Sequence, residues 1–212
     1  MGKNQDVPSV TVSASYGAGG SIIAPALAER LGARFVDRAI PLEVARRLRV
    51  PIEHALDHDE CAPPRFGRLI SAMAPLGGMY IPEEAGQALV EEDYQRETER
   101  LIREAVDDGD AVILGRGAAL VLRDRPDVLH VRLDGPKEAR IAAATLGREI
   151  DEHEARERLK DADRSRELYV RHFYGVDARD PHHYHLVLNS TRLSHDACVE
   201  IVLAAVSALE ER

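Results

Sequence analysis

Short apolar runs alternate with longer segments of helical periodicity along this chain. The apolar runs lie at residues 10–14, 33–36, 111–114 and 128–133, and a fifth centres on Val187 and Leu188. Apolar and β-branched runs of this length are typical of strands that are buried on both faces of a sheet. Helical segments separate the runs, and strands joined by helical crossovers pair in parallel. The pattern predicts an α/β protein with a five-stranded parallel sheet.

The helical segments are marked by apolar positions three and four residues apart. One helix is predicted over residues 22–31, where Pro25 indicates either a late start or a kink. A long helix is predicted over residues 83–107. The expected end signals are Gly32 after the first helix and the capping residues Asp134, Asp151 and Ser194 before later helices. The predicted buried positions are Tyr94, Thr98, Leu101, Ile102 and Ala105 in the long helix and Ala197, Ile201, Ala205 and Leu209 in the last helix.

Glycines follow the first strand directly. Without side chains they let backbone amides approach a ligand closely, and the helix that begins after them points its N-terminal amides at the same spot. That geometry suits an anion, and the predicted phosphate-binding residues are Gly17, Ala18, Gly19, Gly20 and Ser21. The full pattern for such a loop is G-x-x-x-x-G-K-[ST]. Ser21 matches its hydroxyl residue, but Gly20 stands where the lysine is expected, and residues 10–29 hold no Lys or Arg.

Composition limits the classes of function. A chain of 212 residues, 44% of them apolar, is long enough for one domain with a single core. Its net charge of -9 argues against nucleic acid or membrane partners, which require basic surface. The lack of a membrane-spanning run and of a signal-peptide core predicts a cytoplasmic protein. Two cysteines, Cys61 and Cys198, imply neither a disulfide framework nor a cysteine zinc site.

A segment near residues 41–82 interrupts the alternation of strands and helices. It is rich in proline and glycine after residue 61, and it is interpreted as a loop-rich insert with one short apolar helix. Its apolar part, residues 66–81, would cover a substrate or pair with a second subunit. A homodimer is therefore a possible assembly.

Charged residues follow two of the predicted strands, at the edge where open α/β sheets bind ligands. Asp37 and Arg38 follow the second strand, and a surface ion pair or a helix cap is an equally good interpretation of them. Arg116 follows the third strand between Gly115 and Gly117. We expect its guanidinium to be exposed to whatever occupies the crevice.

Arginines are concentrated between residues 140 and 171. They are Arg140, Arg148, Arg156, Arg158, Arg164, Arg166 and Arg171. Acidic residues lie among them, so many of these charges would pair along a solvated helix. Because the glycine loop has no cation of its own, several would instead neutralise a phosphoryl group, which guanidinium binds in a bidentate fork.

Several segments share an order and a spacing that are specific together although each is weak alone. They read S-Y-G-A-G-G at 15–20, L-A-E-R-L-G at 27–32, F-V-D-R at 35–38, I-L-G-R-G-A at 113–118, V-L-H-V-R-L at 128–133, D-A-D-R-S-R at 161–166, F-Y-G-V-D at 173–177 and Y-H-L-V-L-N-S at 184–190. Together they resemble the cytidylate-kinase-like proteins, a branch of the P-loop nucleoside monophosphate kinases. The likeness spans most of the chain.

This resemblance implies a three-layer α/β/α P-loop fold with strand order 2-3-1-4-5, ATP at the glycine loop and an arginine-rich helical lid near residues 149–174. Carried over by motif, the expected catalytic residues are Arg116, Asp163 and Arg166, and the expected substrate residues are Asp37, Arg38 and Arg116. Arg116 would hold an acceptor monophosphate. Ser21 would lie next to Mg2+ that is bound with the nucleotide.

The loop departs from the resembled pattern. Members of that branch often read S-R-x-Y-G-S-G-G-R-E-I, whereas here Ala14 and Ser21 replace the two arginines and Ile22 replaces the glutamate. Each lost charge-assisted contact is worth roughly 1.5–3 kcal/mol. Arginines of the lid would compensate for the loss by closing over the loop.

Three functions stay open at this point. The first is an ATP- and magnesium-dependent phosphotransferase that acts on a small acceptor, by default a nucleoside monophosphate. The second is a nucleotide-binding sensor or regulatory protein with a degenerate loop and little or no kinase activity, favoured by the cation-free loop and by Pro25. The third, a hydrolase or metal protein, would use His182, His183 and His185, although exposed loop histidines are common.

Overall fold

Five parallel strands form the sheet of this protein, seen in a computed structural model that describes residues 8–37, 83–146 and 150–210. The strands are β1 (Ser9–Ala14), β2 (Arg34–Val36), β3 (Ala111–Leu114), β4 (Val128–Asp134) and β5 (Leu186–Asn189). Their order is β2-β3-β1-β4-β5, and every neighbouring pair is parallel. The predicted α/β architecture and its strand order are confirmed. The proposed insert near 41–82 and the predicted substrate residue Arg38 lie outside the described residues.

Helices cover both faces of the sheet. They are α1 (Gly20–Leu31), α2 (Glu83–Asp107), α3 (Ala118–Val121), α4 (Lys137–Thr145), α5 (Glu152–Tyr174) and α6 (His195–Glu210), with a 3-10 turn at Pro181–His183. In the described part of the chain no helix is both long enough and apolar enough to cross a membrane.

Alternate residues of the strands pack into two apolar cores, one on each face of the sheet. Val112 of β3 packs with α1 and α6 on one face, whereas its neighbours Ala111 and Ile113 pack with α2 and α3 on the other. Successive strand side chains point to opposite faces, so a strand that is apolar throughout is buried twice. This explains why the strands lack an alternating pattern and could be located from continuous apolar runs.

Two smaller cores attach α5 to the rest of the molecule. Its second half packs on α3 through Tyr169 and Val170, and its first half packs on α4 through Ala155 and Leu159. The ring of Tyr16, from the glycine loop, packs against the core between α4 and α5. The arginine-rich helix is therefore docked on α3, on α4 and on the glycine loop.

Several local predictions hold and others are wrong. The hydroxyl of Ser194 accepts the Ala197 amide and the Asp151 carboxylate accepts the Glu154 amide, so both predicted caps are confirmed. Asp134 does not cap α4, because its carboxylate binds the Gly135 amide instead and the helix begins after Pro136.

Helices α1 and α6 also differ in detail from expectation. Of the two alternatives that Pro25 left open, a late start and a kink, the late start is wrong, since α1 begins at Gly20 and runs through Pro25. The proline ring removes one intrahelical amide bond. In α6 the buried face is rotated by one residue from the predicted one, so Ile201 is exposed. The buried residues are Cys198, Val199, Val202 and Val206. Burial also raises the pKa of the Cys198 thiol.

Candidate phosphoryl-transfer site

A polar cavity lies at the carboxyl ends of β1, β3 and β4, beneath α5. Its volume is about 130 Å³. Four arginines and three carboxylates line it, and these are Arg132, Arg140, Arg166 and Arg179 with Asp134, Asp163 and Glu167. Of the glycine loop, residues 14–21, only Ala14 and Ser15 reach this cavity.

The glycine loop presents an open helix N-terminus. Gly17 and Gly19 both adopt a φ of 77°, in the left-handed region that favours glycine. Gly19 caps α1 without a side-chain hydrogen bond, and the first turn of α1 carries no acidic residue. Ser21 is exposed in that first turn. The positive end of the helix dipole is therefore available to an anion, which fits the phosphates of a nucleotide.

A steric contact explains why this loop has no lysine. A Cβ atom placed on Gly20 would lie 2.5 Å from the Cβ of Ala14 and 3.3 Å from Cδ1 of Leu114. A lysine at position 20 therefore requires a glycine at position 14, the first glycine of the standard pattern. Any side chain at 14, alanine here or arginine in the resembled branch, excludes one at 20. The glycine at position 20 and the side chain at position 14 are therefore two parts of one packing arrangement.

Arg140 brings a guanidinium to the loop from α4. Its Nη1 donates to the Tyr16 carbonyl at 2.9 Å and to Oδ2 of Asp163 at 2.7 Å. The other carboxylate oxygen of Asp163 accepts the Tyr16 amide at 3.0 Å. The backbone of α4 is also in contact with the loop, since a Cβ on Gly17 would lie 2.2 Å from the Arg140 carbonyl oxygen. A carboxylate of α5 thus occupies two donors beside the loop.

Arg132 is a second buried cation, from within β4. Its guanidinium donates to the Ser15 hydroxyl, to Asp134 and to the Ala178 carbonyl, each at 3.1 Å. Burial pushes the pKa of Asp134 up, but the Gly135 amide and the Arg132 charge outweigh it and hold that pKa below its ordinary value. The motif at 128–133 includes Arg132, but no role was predicted for this residue. The available signal was an arginine inside an otherwise apolar strand.

A polar strip continues below Arg132 on the same face of the sheet. Thr11 of β1 is in register with His130 of β4, and the Thr11 hydroxyl lies 2.8 Å from Nδ1 of that imidazole. Burial, followed by the charge of His185, lowers the pKa of His130 to about 4. His130 is therefore neutral at physiological pH.

Arg116 lies outside this cavity, and the expectation that it is exposed is wrong. It is 3% exposed, and its Nη1 donates to Asp37 at 2.8 Å and to the Leu114 carbonyl at 3.0 Å. Its φ of 57° lies between the positive φ values of Gly115 and Gly117. This left-handed turn directs the guanidinium back over β3 towards the end of β2, so the structure brings together Arg116 and Asp37.

The two other predicted catalytic residues, Asp163 and Arg166, lie together on α5. Asp163 and Arg166 line the cavity from α5, with Nη1 of Arg166 3.9 Å from Oδ1 of Asp163. Within the described ranges, no three histidine, cysteine or acidic side chains are grouped to hold a metal ion. His182 pairs at the surface with Asp180. In the described part of the chain, the three loop histidines are therefore not grouped as metal ligands.

The fold and the glycine loop define a class, that of the P-loop kinase fold. The chain is similar to an uncharacterized protein of Eubacterium ventriosum with a TM-score of 0.68 at 17% identity, over 94% of this chain and 98% of that one. It is also similar to shikimate kinase of Acinetobacter baumannii, with a TM-score of 0.50 at 17% identity, over 95% and 94% of the two chains. These likenesses show the fold.

The chain belongs to the cytidylate kinase-like family, whose model matches residues 9–192. Among its relatives, the cytidylate kinase of Methanopyrus kandleri is 34% identical over 154 residues, which cover 69% of this chain and 80% of the relative. The cytidylate kinase of Pyrococcus horikoshii is 27% identical over 144 residues, covering 68% and 74%. Family and fold together support a nucleotide-binding, kinase-like function.

Proposed function

We propose that this protein is a phosphotransferase that moves the γ-phosphoryl group of ATP to a small acceptor, most favourably a nucleoside monophosphate. The observation that carries the proposal is the convergence of three guanidinium groups, from Arg132, Arg140 and Arg166, on a cavity beside the glycine loop. Phosphoryl transfer needs positioning and neutralisation of charge rather than covalent catalysis. Arginines from three different elements supply both without a loop lysine.

The donor nucleotide would lie along the loop and the start of α1. Backbone amides of residues 17–21 would hold its phosphates, and the Ser21 hydroxyl is suitably exposed to ligate Mg2+. Such an ion, when bound with the nucleotide, neutralises phosphate charge and orients its oxygens. Because the described residues contain no group of three metal ligands, phosphate oxygens and water would complete its coordination.

The acceptor would lie between the ends of β1, β2 and β3. Arg116 is proposed to orient its phosphate, and the ion pair with Asp37 fixes that guanidinium in the free protein. An acceptor phosphate would reach Arg116 by taking over the Asp37 bond, since the guanidinium is buried. On the opposite side Arg166 of α5 would neutralise the transferring phosphoryl group.

A panel of nucleoside monophosphates, with ATP and with or without Mg2+, tests this function. We expect acceptor-dependent formation of ADP, lost in Arg166→Ala and retained in Arg125→Ala. Arg125 is a suitable control because it pairs at the surface with Asp107 and Asp127, away from the cavity. Equal turnover in the Arg166→Ala variant and the unaltered protein would contradict the role of the cavity.

The second candidate function is nucleotide binding without transfer. Two observations favour it, namely the Ala14 methyl group packed where a lysine would begin and the Asp163 carboxylate on the Tyr16 amide. Thermal melting beside the transfer assay separates the candidates. A nucleotide-dependent rise in melting temperature without ADP formation would select the binding protein.

A further inference from the structure

The free protein already contains an anion beside its glycine loop. The Asp163 carboxylate accepts the Tyr16 amide at 3.0 Å with one oxygen and the Arg140 guanidinium at 2.7 Å with the other. A backbone amide and a guanidinium that converge on one carboxylate form the donor set that also binds phosphate. The question is which of these groups would serve a nucleotide.

We propose that Arg140 is the cation of the phosphate loop, delivered from α4, and that nucleotide phosphate binds it in exchange for Asp163. This inference rests on the proposed nucleotide binding. It assigns to one residue the role that the lysine fills in the standard loop. It also identifies the group that is bound as a phosphate, because one tetrahedral phosphate offers oxygens to both donors that Asp163 now holds.

Backbone carbonyls hold the Arg140 guanidinium in addition to its charge partners, Asp163 at 2.7 Å and Asp134 at 3.6 Å. Nε donates to the Gly135 carbonyl at 3.0 Å and Nη1 to the Tyr16 carbonyl at 2.9 Å. Its own carbonyl lies against Gly17, where any Cβ would come within 2.2 Å. Arg140 is 8% exposed. The guanidinium would therefore stay at the loop when Asp163 leaves, which is the preorganisation that a phosphate-binding cation needs.

The other buried arginine of the cavity is less suited to this role. Arg132 donates to the Ala178 carbonyl, to the Ser15 hydroxyl just after β1 and to the Asp134 carboxylate at the end of β4. It braces the start of the loop at Ser15. Arg132 therefore reaches the loop through the Ser15 side chain, whereas Arg140 donates to a backbone carbonyl of the loop, that of Tyr16.

A rescue experiment tests the assignment. The probes are ADP and inorganic tripolyphosphate, each titrated calorimetrically into the full chain. We expect Arg140→Ala to weaken both by about ten- to hundredfold, the effect of one charge-assisted hydrogen bond, and Arg140→Lys to weaken them less. Introducing Ala14→Gly together with Gly20→Lys into Arg140→Ala should restore binding, because the lysine then has room. Gly20→Lys alone should not restore it, because its Cβ would collide with Ala14.

The outcomes separate this inference from the proposed function. Binding by the unaltered protein with no loss in Arg140→Ala would overturn the inference and leave the function standing. Absence of binding by the unaltered protein would overturn both. A third outcome also overturns the inference. In it, Arg140→Ala loses binding and adding Ala14→Gly with Gly20→Lys does not restore it, although the same two substitutions leave binding intact when Arg140 is present. The role of Arg140 would then be structural. Arg125→Ala serves as the control for loss of an exposed arginine.

Discussion

Removal of the Asp163 carboxylate should destabilise the free protein. Asp163→Ala takes away the acceptor of two hydrogen bonds, from the Tyr16 amide and the Arg140 guanidinium. A hydrogen bond to a charged group contributes about 1.5–3 kcal/mol, and the contribution here is reduced because the side chain of Asp163 is 23% exposed. We expect the free energy of unfolding to fall by about 2 kcal/mol, which lowers the melting temperature by roughly 4–8 °C in a chain of this size.

The same substitution should strengthen nucleotide binding. If phosphate takes over both donors, the bound protein no longer uses Asp163 there, so its removal destabilises the free form and not the complex. Because the free form is destabilised and the complex is not, the binding free energy becomes more favourable by the same amount. About 2 kcal/mol corresponds to a roughly thirtyfold lower Kd. Few substitutions in a ligand site are expected to act in these two opposite directions.

Urea unfolding and calorimetric titration with ADP provide the two measurements. Asp161→Ala is the matched control, since it removes an exposed carboxylate from the same helix and changes net charge equally. We expect it to leave both quantities close to those of the unaltered protein. Weaker or unchanged ADP binding in Asp163→Ala would refute the exchange of carboxylate for phosphate.

Three further predictions concern the loop, the polar strip and the acceptor side. Gly17→Ala should lower the free energy of unfolding by about 3 kcal/mol, because its Cβ meets the Arg140 carbonyl. Gly32 has a similar φ but open space around it, so the control Gly32→Ala should lower that free energy by about 1 kcal/mol. Equal losses in the two variants would show that the contact between Gly17 and Arg140 is not the cause. The pKa of His130 is depressed to about 4, so its contribution to stability is present above about pH 6.5 and is lost towards pH 4. Urea unfolding at a series of pH values should therefore show a smaller loss of stability on acidification in His130→Gln than in the unaltered protein. Parallel plots of stability against pH for the two proteins would contradict this. Arg116→Ala should abolish transfer to every acceptor in the monophosphate panel, and normal turnover would exclude Arg116 from the site.

The fold could be predicted because its strands are buried on both faces. Residues 111–114 are apolar without interruption, and the structure places them between two cores. Such a run is interpretable without knowledge of its neighbours. The predicted buried face of α6 is rotated by one residue from the observed one. Alanine is compatible with both a core and a surface, so Ala197 and Ala205 did not indicate which face of the helix is buried.

The site was harder to predict because its contacts join distant parts of the chain. Asp163 meets Tyr16 across 147 positions, and the motif at 161–166 indicated a residue near phosphates without indicating that it binds the loop itself. The burial of Arg116 depends on three successive left-handed residues, two of which glycine allows and one of which only the fold imposes. The packing of Ala14 against Gly20 is likewise visible only in three dimensions.

Phosphorus-31 NMR of the full chain with ATP, Mg2+ and a nucleoside monophosphate tests the central claim most directly. It follows the phosphoryl group itself from donor to acceptor. The account predicts that the γ-phosphate signal of ATP declines while the two signals of an acceptor diphosphate grow at the same rate, with no inorganic phosphate formed in their place. An unchanged ATP spectrum with every acceptor would contradict it, whether or not ADP stabilises the protein against heat.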